Sequence, residues 1–160
     1  MKQSIRRGVF ETNSSSTHSL TMCSEDEYEK WIKGELYFIP DTEEFVNEEE
    51  KVKYLQKEII KSKDEFEYDF TNRQITYKGV TVSFDDKEKL FTEENLNEIT
   101  KEEVESYRKH KLEHGERHEI PFTYEEYYEY VAEDYETFKH SYTTKNGEKI
   151  ISFGYYGYDG

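Results

Sequence analysis

The sequence predicts an α+β fold in which a mostly antiparallel sheet packs against three or four helices. Apolar and polar residues alternate over 17–23 and 65–84, which is the period-two pattern of strands. The dipeptides Lys78-Gly79 and Asn146-Gly147 are typical of hairpin turns. Between these segments apolar residues recur at helical spacing behind Ser and Thr residues that can cap helices.

The N-terminal segment is predicted to form a strand, a turn and a second strand. Residues 4–10 form an extended arm, 11–16 a turn rich in Asn and Ser, and 17–23 the second strand. Alternation along that strand places His18 with Leu20 and Met22 on the core-facing side.

Four helices are expected to begin after residues that can act as N-caps, namely Ser24, Thr42, Thr100 and Thr123. The second helix runs to about residue 61, with an apolar stripe of Phe45, Val52, Leu55 and Ile59. The last spans 124–138 and has most of its glutamates on the solvent side.

Size and composition favour one domain over residues 1–160. Ten Phe, fifteen Tyr and one Trp can supply a core despite 37% charged residues. The single Cys23 excludes an internal disulfide, and no apolar run is long enough to span a bilayer. We expect a soluble protein in the cytoplasm of a bacterial host, without membrane association.

The net charge of −15 argues against ordinary nucleic-acid binding, in which Lys and Arg neutralise phosphates. It favours a basic partner, including a protein that itself binds nucleic acid. Residues 1–22 depart from this pattern because they carry a net charge of +2. Simple solubility remains the competing explanation of the acidic composition.

The segment 6–20 (RRGVFETNSSSTHSL) concentrates basic, amide, hydroxyl, imidazole and carboxylate groups. Such a set can act as base toward a 2′-hydroxyl, as acid toward the leaving oxygen, and as cation toward the phosphorane. The candidate catalytic residues are Arg7, Glu11, Asn13, Ser16 and His18. Arg6 and Ser15 are candidate binding residues of the same segment.

Two other interpretations of this segment stay open. In the first, it binds a nucleotide or small ligand through its hydroxyl and amide groups without turnover. In the second, it is a well-bonded loop with a structural histidine. If it is catalytic, we expect a metal-free ribonuclease or phosphate-ester hydrolase, and no cofactor is expected.

Three histidines, His110, His114 and His118, recur every four residues and raise the question of a metal site. Gly115 is expected to end their helix, and the HExxH order is absent. Histidines at a helix C-terminus also complement the helix dipole, so no metal site is assigned.

Carboxylates on the helices over 43–61 and 124–138 would lie one turn apart and resemble the phosphate spacing of DNA. The tyrosines after Phe122 could stack on a partner's arginines. The candidate residues for this surface are Glu43, Glu44, Glu48, Glu49, Tyr127, Glu129 and Glu133.

The string RGVFETNSSSTHS, residues 7–19, resembles an N-terminal signature of phage and mobile-element proteins of Gram-positive bacteria. It covers about a tenth of the chain. Small acidic proteins of such elements are similar in character to anti-defence proteins, including inhibitors of Cas9. The resemblance implies a protein that binds and inhibits a nucleic-acid-handling defence enzyme, plausibly a CRISPR effector. The alternative is a nuclease acting on RNA, the effector's guide RNA included.

Overall fold

The structure, a computed structural model, describes residues 4–13, 16–114 and 120–158, and describes side chains over 18–114 and 120–157. The fold is α+β with antiparallel sheets, as predicted, and it has more helical segments than the three or four expected. In the part of the chain described, no helix combines the length and the apolar character needed to cross a membrane.

The elements follow one another along the chain in this order: β1 (Ser4–Asn13), β2 (Ser16–Ser24), α1 (Glu25–Ile32), β3 (Tyr37–Ile39), β4 (Glu44–Val46), α2 (Glu48–Lys61), β5 (Glu67–Asp69), β6 (Gln74–Tyr77), β7 (Val80–Ser83), a 3₁₀ segment (Phe84–Leu90), α3 (Glu93–Asn97), α4 (Lys101–His114), α5 (Tyr124–Glu126), a π turn (Tyr127–Val131), β8 (Glu136–Thr143) and β9 (Lys149–Tyr158).

These elements belong to two compact units. Unit 1 comprises residues 1–48 and 115–160, and unit 2 comprises residues 49–114. The expectation of one domain over residues 1–160 stays a prediction.

Unit 1 is built on a four-stranded antiparallel sheet in the order β1-β2-β9-β8. The last strand of the chain therefore pairs with the second, and Met22 lies opposite Ser152. The Asn146-Gly147 hairpin forms as predicted, with Gly147 at φ +85°. Strand β9 continues through residues 154–158.

The predicted core-facing side of β2 is wrong. Ser19, Thr21 and Cys23 are the buried side chains, whereas His18 is exposed and Leu20 is half-buried. Alternation along a strand identifies two faces but does not tell which of them packs on the core. The helices cover the face that carries the small side chains.

Trp31 is the centre of the core of unit 1. Ser24 caps α1 by accepting the N–H of Glu27 at 3.1 Å, and one turn later α1 buries Trp31 completely. The indole ring contacts Phe45 at 5.5 Å and Phe153 at 5.3 Å between ring centroids. Its Nε1–H donates to the Phe122 carbonyl oxygen at 3.1 Å. One side chain thus joins α1 to three distant parts of unit 1.

Two predicted helices have different bounds from those expected. The helix predicted after Thr42 begins at Glu48, because Glu43 adopts φ +53° in a turn and Phe45 lies in β4. The helix predicted over 124–138 is capped by Thr123 as expected but ends with the π turn Tyr127–Val131. Residues 136–143, which hold Phe138, are strand β8.

Unit 2 contains the three-stranded antiparallel sheet β5-β6-β7 with α2, α3 and α4. The Lys78-Gly79 turn forms as predicted, with φ values of +51° and +79° that suit a tight hairpin. Thr100 caps α4 by accepting the Glu103 N–H at 3.1 Å, as expected. The buried amide of Gln56 in α2 donates to the Ile99 carbonyl at 3.2 Å.

We predict that Trp31→Ala lowers the free energy of unfolding by about 3–5 kcal/mol, because it leaves a large cavity among aromatic rings. The matched control is Ile32→Ala, since the neighbouring Ile32 side chain is 42% exposed. That change should cost about 0.5 kcal/mol or less. Urea denaturation followed by circular dichroism measures both variants. Equal losses in the two variants would contradict the central position of Trp31.

Candidate functional site

The N-terminal segment that the sequence singled out contains two antiparallel strands, β1 and β2, where two strands were predicted. The backbone of β1 pairs with β2, with Phe10 opposite His18 and Asn13 opposite Ser16. The register shifts between Arg6 and Val9, so Arg7 lies in an irregular part of the strand. The predicted turn is therefore shorter than 11–16, since β1 continues through Asn13.

Most of the predicted catalytic side chains lie outside the described part of the structure. The side chains concerned are those of Arg6, Arg7, Glu11, Asn13 and Ser16, and Ser15 is outside it entirely. Their roles stay predictions. His18 is the one residue of the predicted catalytic set whose side chain the structure describes.

His18 lies on the open face of the sheet of unit 1, in a row with two residues from the other end of the chain. Across the strands, His18 pairs with Tyr156 and Tyr156 pairs with Glu136. The His18 ring stacks on the Tyr156 ring with centroids 5.8 Å apart and planes at 24°. The Tyr156 hydroxyl donates to Glu136 Oε2 at 2.6 Å. Imidazole, phenol and carboxylate thus form one connected exposed cluster.

The carboxylate determines the protonation state of the phenol in this cluster. The hydrogen bond to Glu136 and its negative charge raise the pKa of Tyr156 above the ordinary value of 10.0. Because the neutral phenol is favoured, Tyr156 remains a donor to Glu136 at neutral pH. The site therefore offers an imidazole held against a neutral ring, with a carboxylate beyond it.

Sequence analysis missed Tyr156 and Glu136 as neighbours of His18. Glu136 was expected in the helix over 124–138, whereas Glu136 and Tyr156 both lie in strands. The buried side chains of Ile151, Phe153 and Tyr155 recur with the period of two that marks a strand. That alternation was the available signal for β9, although it could not reveal which strand pairs with it.

Gly154 keeps this part of the sheet closely packed. A Cβ atom at this position would overlap the carbonyl oxygen of Ser19 in β2 and touch the Phe138 ring in β8. A side chain here would therefore separate β9 from the strands on either side of it.

The acidic residues predicted on one outward helix face over 43–61 do not all lie there. The prediction is wrong for Glu43 and Glu44, whereas Glu48 and Glu49 are exposed on α2. Glu43 is only 3% exposed, and Glu44 lies in β4. Glu48 accepts a hydrogen bond from the Tyr37 hydroxyl at 2.8 Å. Glu49 forms an ion pair with Lys53 at 3.5 Å. The turn at Glu43 separates Glu43 and Glu44 from α2. Glu48 and Glu49 interact with the polar side chains of Tyr37 and Lys53.

The tyrosine and glutamates predicted on the last helix also have different environments. Tyr127 is 1% exposed and contacts Phe153 and Tyr155 in the core, so it presents no surface to a partner. Burial raises the pKa of Tyr127 well above its ordinary value. Glu129 is exposed in the π turn and Glu133 is exposed in the turn that follows it. The two glutamates remain candidates, whereas Tyr127 is a core residue.

The tertiary structure brings α1 and α5 together as one layer on the sheet. The Tyr28 ring contacts the Tyr124 ring at 6.1 Å, and the Tyr28 and Tyr128 hydroxyls are 3.4 Å apart. Tyr28 and Tyr127 both contact Phe153 of β9, so the two helical segments cover the same face of the sheet.

Carboxylates cover the solvent side of this layer. We define the acidic helical surface as the exposed residues Asp26, Glu29, Glu125, Glu129 and Glu133. Asp26 pairs with Lys30 at 3.2 Å. The other four form no ion pair with any residue that the structure describes. Their charge is therefore available to a partner.

The charge of the chain is divided unequally between the two units. Unit 1 contains 20 Asp and Glu against 9 Lys and Arg, a net charge of −11. Unit 2 contains 17 against 13, a net charge of −4. The electrostatic character of the molecule therefore resides mainly in unit 1.

The histidine pair of α4 is not part of a metal centre within the described chain. His110 and His114 have ring centroids 5.1 Å apart, and both are exposed. His118 lies outside the described residues. Over the residues described, no group of three or more His, Cys, Asp or Glu side chains is arranged to hold a metal ion.

Comparison of the chain with protein-family models, with curated proteins and with solved structures finds no match. Function is therefore argued from the geometry and charge of the two surfaces of unit 1.

We predict that Glu136→Gln lowers the pKa of Tyr156 toward its ordinary value, because the neutral amide no longer stabilises the protonated phenol by charge. The measurement is a pH titration of the Tyr156 Cζ signal by ¹³C NMR, assigned by its loss in Tyr156→Phe. Glu133→Gln is the control, since Glu133 is exposed in the turn before β8. The same titration curve in wild type and Glu136→Gln would show that the hydrogen bond does not persist in solution.

Proposed function

We propose that this protein binds and inhibits a nucleic-acid-handling enzyme by occupying its basic nucleic-acid-binding surface. The observation that carries the proposal is the acidic helical surface, in which four exposed carboxylates form no ion pair within the described chain. Unit 1, which holds this surface, has a net charge of −11.

The energetics favour a charged partner over simple solvation for such a surface. Like charges on adjacent helical segments repel one another, and an oppositely charged partner relieves that repulsion while it speeds association. A channel built for polyphosphate has the required positive charge. Nucleic acid itself would be repelled, so the partner is a protein.

The proposed target class is a host defence enzyme, of which a Cas9-type CRISPR effector is the leading example. The resemblance of residues 7–19 to mobile-element proteins supports this choice. Such an effector holds its guide RNA and target strand in a positively charged channel. The proposed place of action is the cytoplasm of the bacterial host.

A second candidate function is cleavage of RNA, for which the His18 cluster is the supporting observation. His18 is exposed on the sheet face and is held by the Tyr156 ring rather than packed in the core. A structural histidine would more often be buried, whereas a general acid or base must reach its substrate. The backbone of β1 lies beside His18, and β1 includes Arg6, Arg7 and Glu11.

In this second candidate, His18 exchanges a proton with the ribose 2′-hydroxyl or with the leaving oxygen. Glu11 orients His18 or carries out the other proton transfer, so that the 2′-hydroxyl loses its proton as the leaving oxygen gains one. Arg7 supplies positive charge to the phosphorane, and Asn13 and Ser16 position the phosphate. The two functions are compatible, because an inhibitor held on an effector by charge could also cut its guide RNA.

We predict that the triple variant Glu125→Gln, Glu129→Gln and Glu133→Gln slows association with a purified Cas9–guide RNA complex roughly tenfold at low salt, because steering depends on charge. The measurement is stopped-flow displacement of a labelled DNA duplex at several salt concentrations. The difference from wild type should vanish at high salt, where exposed charges are screened.

The control for this experiment removes the same charge from unit 2. Its triple variant is Glu93→Gln, Glu94→Gln and Glu103→Gln, all at exposed positions. The control should bind with nearly the wild-type rate. If both triple variants slow binding equally, net charge and not the acidic helical surface governs it. An association rate of wild type that is insensitive to salt would refute electrostatic occupation of the channel.

We predict that His18→Ala lowers cleavage of a labelled single-stranded RNA by about 10²–10⁴-fold if the second function is correct, because it removes the acid or base. His140→Ala is the matched control, since His140 is also an exposed histidine of the same sheet. It should cleave at the wild-type rate. Equal cleavage by wild type and His18→Ala, or none by wild type, would eliminate the nuclease.

A further inference from the structure

Unit 2 exposes a cluster of aromatic rings that the functions proposed for unit 1 do not use. We define the aromatic patch as Tyr68, Phe70 and Phe84. Phe70 is 75% exposed and Tyr68 is 45% exposed. A contiguous exposed group of large apolar side chains is uncommon on a protein surface and typically marks an interaction site.

The rings of the patch are arranged by the strand pairing. The Tyr68 and Phe70 rings stack with centroids 5.8 Å apart and planes at 11°. The Phe84 ring meets Phe70 edge to face at 5.8 Å. The Phe84 N–H donates to the Arg73 carbonyl at 3.0 Å, which brings the end of β7 beside the turn after β5. The patch is therefore preformed and loses little side-chain freedom on binding.

The patch already binds one cationic group from its own chain. The Arg73 guanidinium lies over the Phe84 ring, with Cζ 5.4 Å from the centroid. This is the geometry in which an aromatic face attracts a cation. Phe70 extends the same aromatic surface farther into solvent. A second guanidinium can stack there in the same way.

Acidic residues alternate with the aromatic residues along the strand of the patch and complement such a cation. Residues 64–70 read Asp-Glu-Phe-Glu-Tyr-Asp-Phe, so acids and aromatics alternate without a basic residue. Asp69 accepts the Asn72 backbone N–H at 3.1 Å and its Nδ2–H at 2.8 Å. These hydrogen bonds lower the pKa of Asp69 and keep it ionised. Glu67 is exposed on the same strand.

The strand that carries the patch has room for an additional chain. β5 is the edge strand of the sheet β5-β6-β7, and among the described residues it pairs with β6 alone. A free edge offers backbone N–H and C=O groups to an extended segment. Successive side chains of such a segment would point to opposite faces. One set would lie beside the acidic residues of β5, and the other set would lie beside the aromatic rings.

We propose that the aromatic patch and the edge of β5 bind an extended, arginine-containing segment of a partner protein. An arginine of that segment stacks on Phe70, and its neighbouring basic residues face Glu67 and Asp69. Arginine is favoured over lysine because its planar guanidinium stacks on a ring while it bonds to carboxylates. This site lies in unit 2 and does not depend on the acidic helical surface of unit 1.

The test uses the full chain and a fluorescein-labelled peptide of about eight residues that alternates Arg with Lys, so that each arginine has basic neighbours on the other face of the strand. This length suits strand addition. Fluorescence anisotropy should show that Phe70→Ala weakens peptide binding about fivefold, a typical effect of losing one exposed cation–π contact. Phe70→Trp should keep or improve the affinity, because Trp is the best cation-binding ring. Neither variant changes the charge of the protein.

Two controls separate ring recognition from attraction to an acidic protein. Val80→Ala removes another exposed apolar side chain of the same sheet and should leave the affinity unchanged. A peptide with Lys in place of Arg should bind more weakly and should lose less affinity than the Arg peptide on Phe70→Ala. Equal binding of the Arg peptide by wild type and Phe70→Ala would overturn the proposal.

One further measurement distinguishes a protein segment from nucleic-acid bases, which also stack on aromatic rings. A labelled single-stranded oligonucleotide should not bind, because the carboxylates beside the patch repel phosphate. Oligonucleotide binding that Phe70→Ala abolishes would assign the patch to bases and overturn the proposal. In the Gln variants of the acidic helical surface, Phe70→Ala should lower the affinity for the Arg peptide as much as it does in the wild-type protein. A negative result for the aromatic patch is therefore distinct from a negative result for the proposed inhibition.

Discussion

The pairing of β2 with β9 is the constraint on which the rest of unit 1 depends. It joins the first and last segments of the chain over nine residue pairs, from Ser16–Tyr158 to Ser24–Ile150. On one face it presents Phe153 to Trp31 and Tyr28. On the other it brings Tyr156 against His18. The core and the exposed cluster therefore lie on opposite faces of the same pair of strands.

The two faces of this sheet have distinct physical roles. The inner face is filled by aromatic rings on α1 and α5, whose packing holds the two helical segments together. Because their inner sides are apolar, Asp26, Glu29, Glu125 and Glu129 point to solvent, whereas Glu27 is buried. The acidic helical surface is thus a consequence of how the core is built. The outer face keeps an imidazole, a phenol and a carboxylate in contact with water.

The two units present different surfaces to partners. Unit 1 offers mainly charge, which acts over several ångströms, weakens with salt and accelerates encounter. Unit 2 offers an aromatic patch beside a free strand edge, which acts at contact and selects for the shape of the partner's side chains. A protein that uses both would bind fast through the first and specifically through the second.

The sequence by itself determined the fold class, both hairpin turns and the caps at Ser24, Thr100 and Thr123, because these depend on local backbone preferences. It also determined the acidic balance of the chain. Only the tertiary structure decided which face of β2 is buried, that the segment around Phe45 is a strand, and that Glu136 and Tyr156 lie beside His18. Local periodicity is the same whichever face of a strand is buried, and it does not identify the neighbouring strand. The buried face and the neighbouring strand are both selected by contacts between residues distant in the chain.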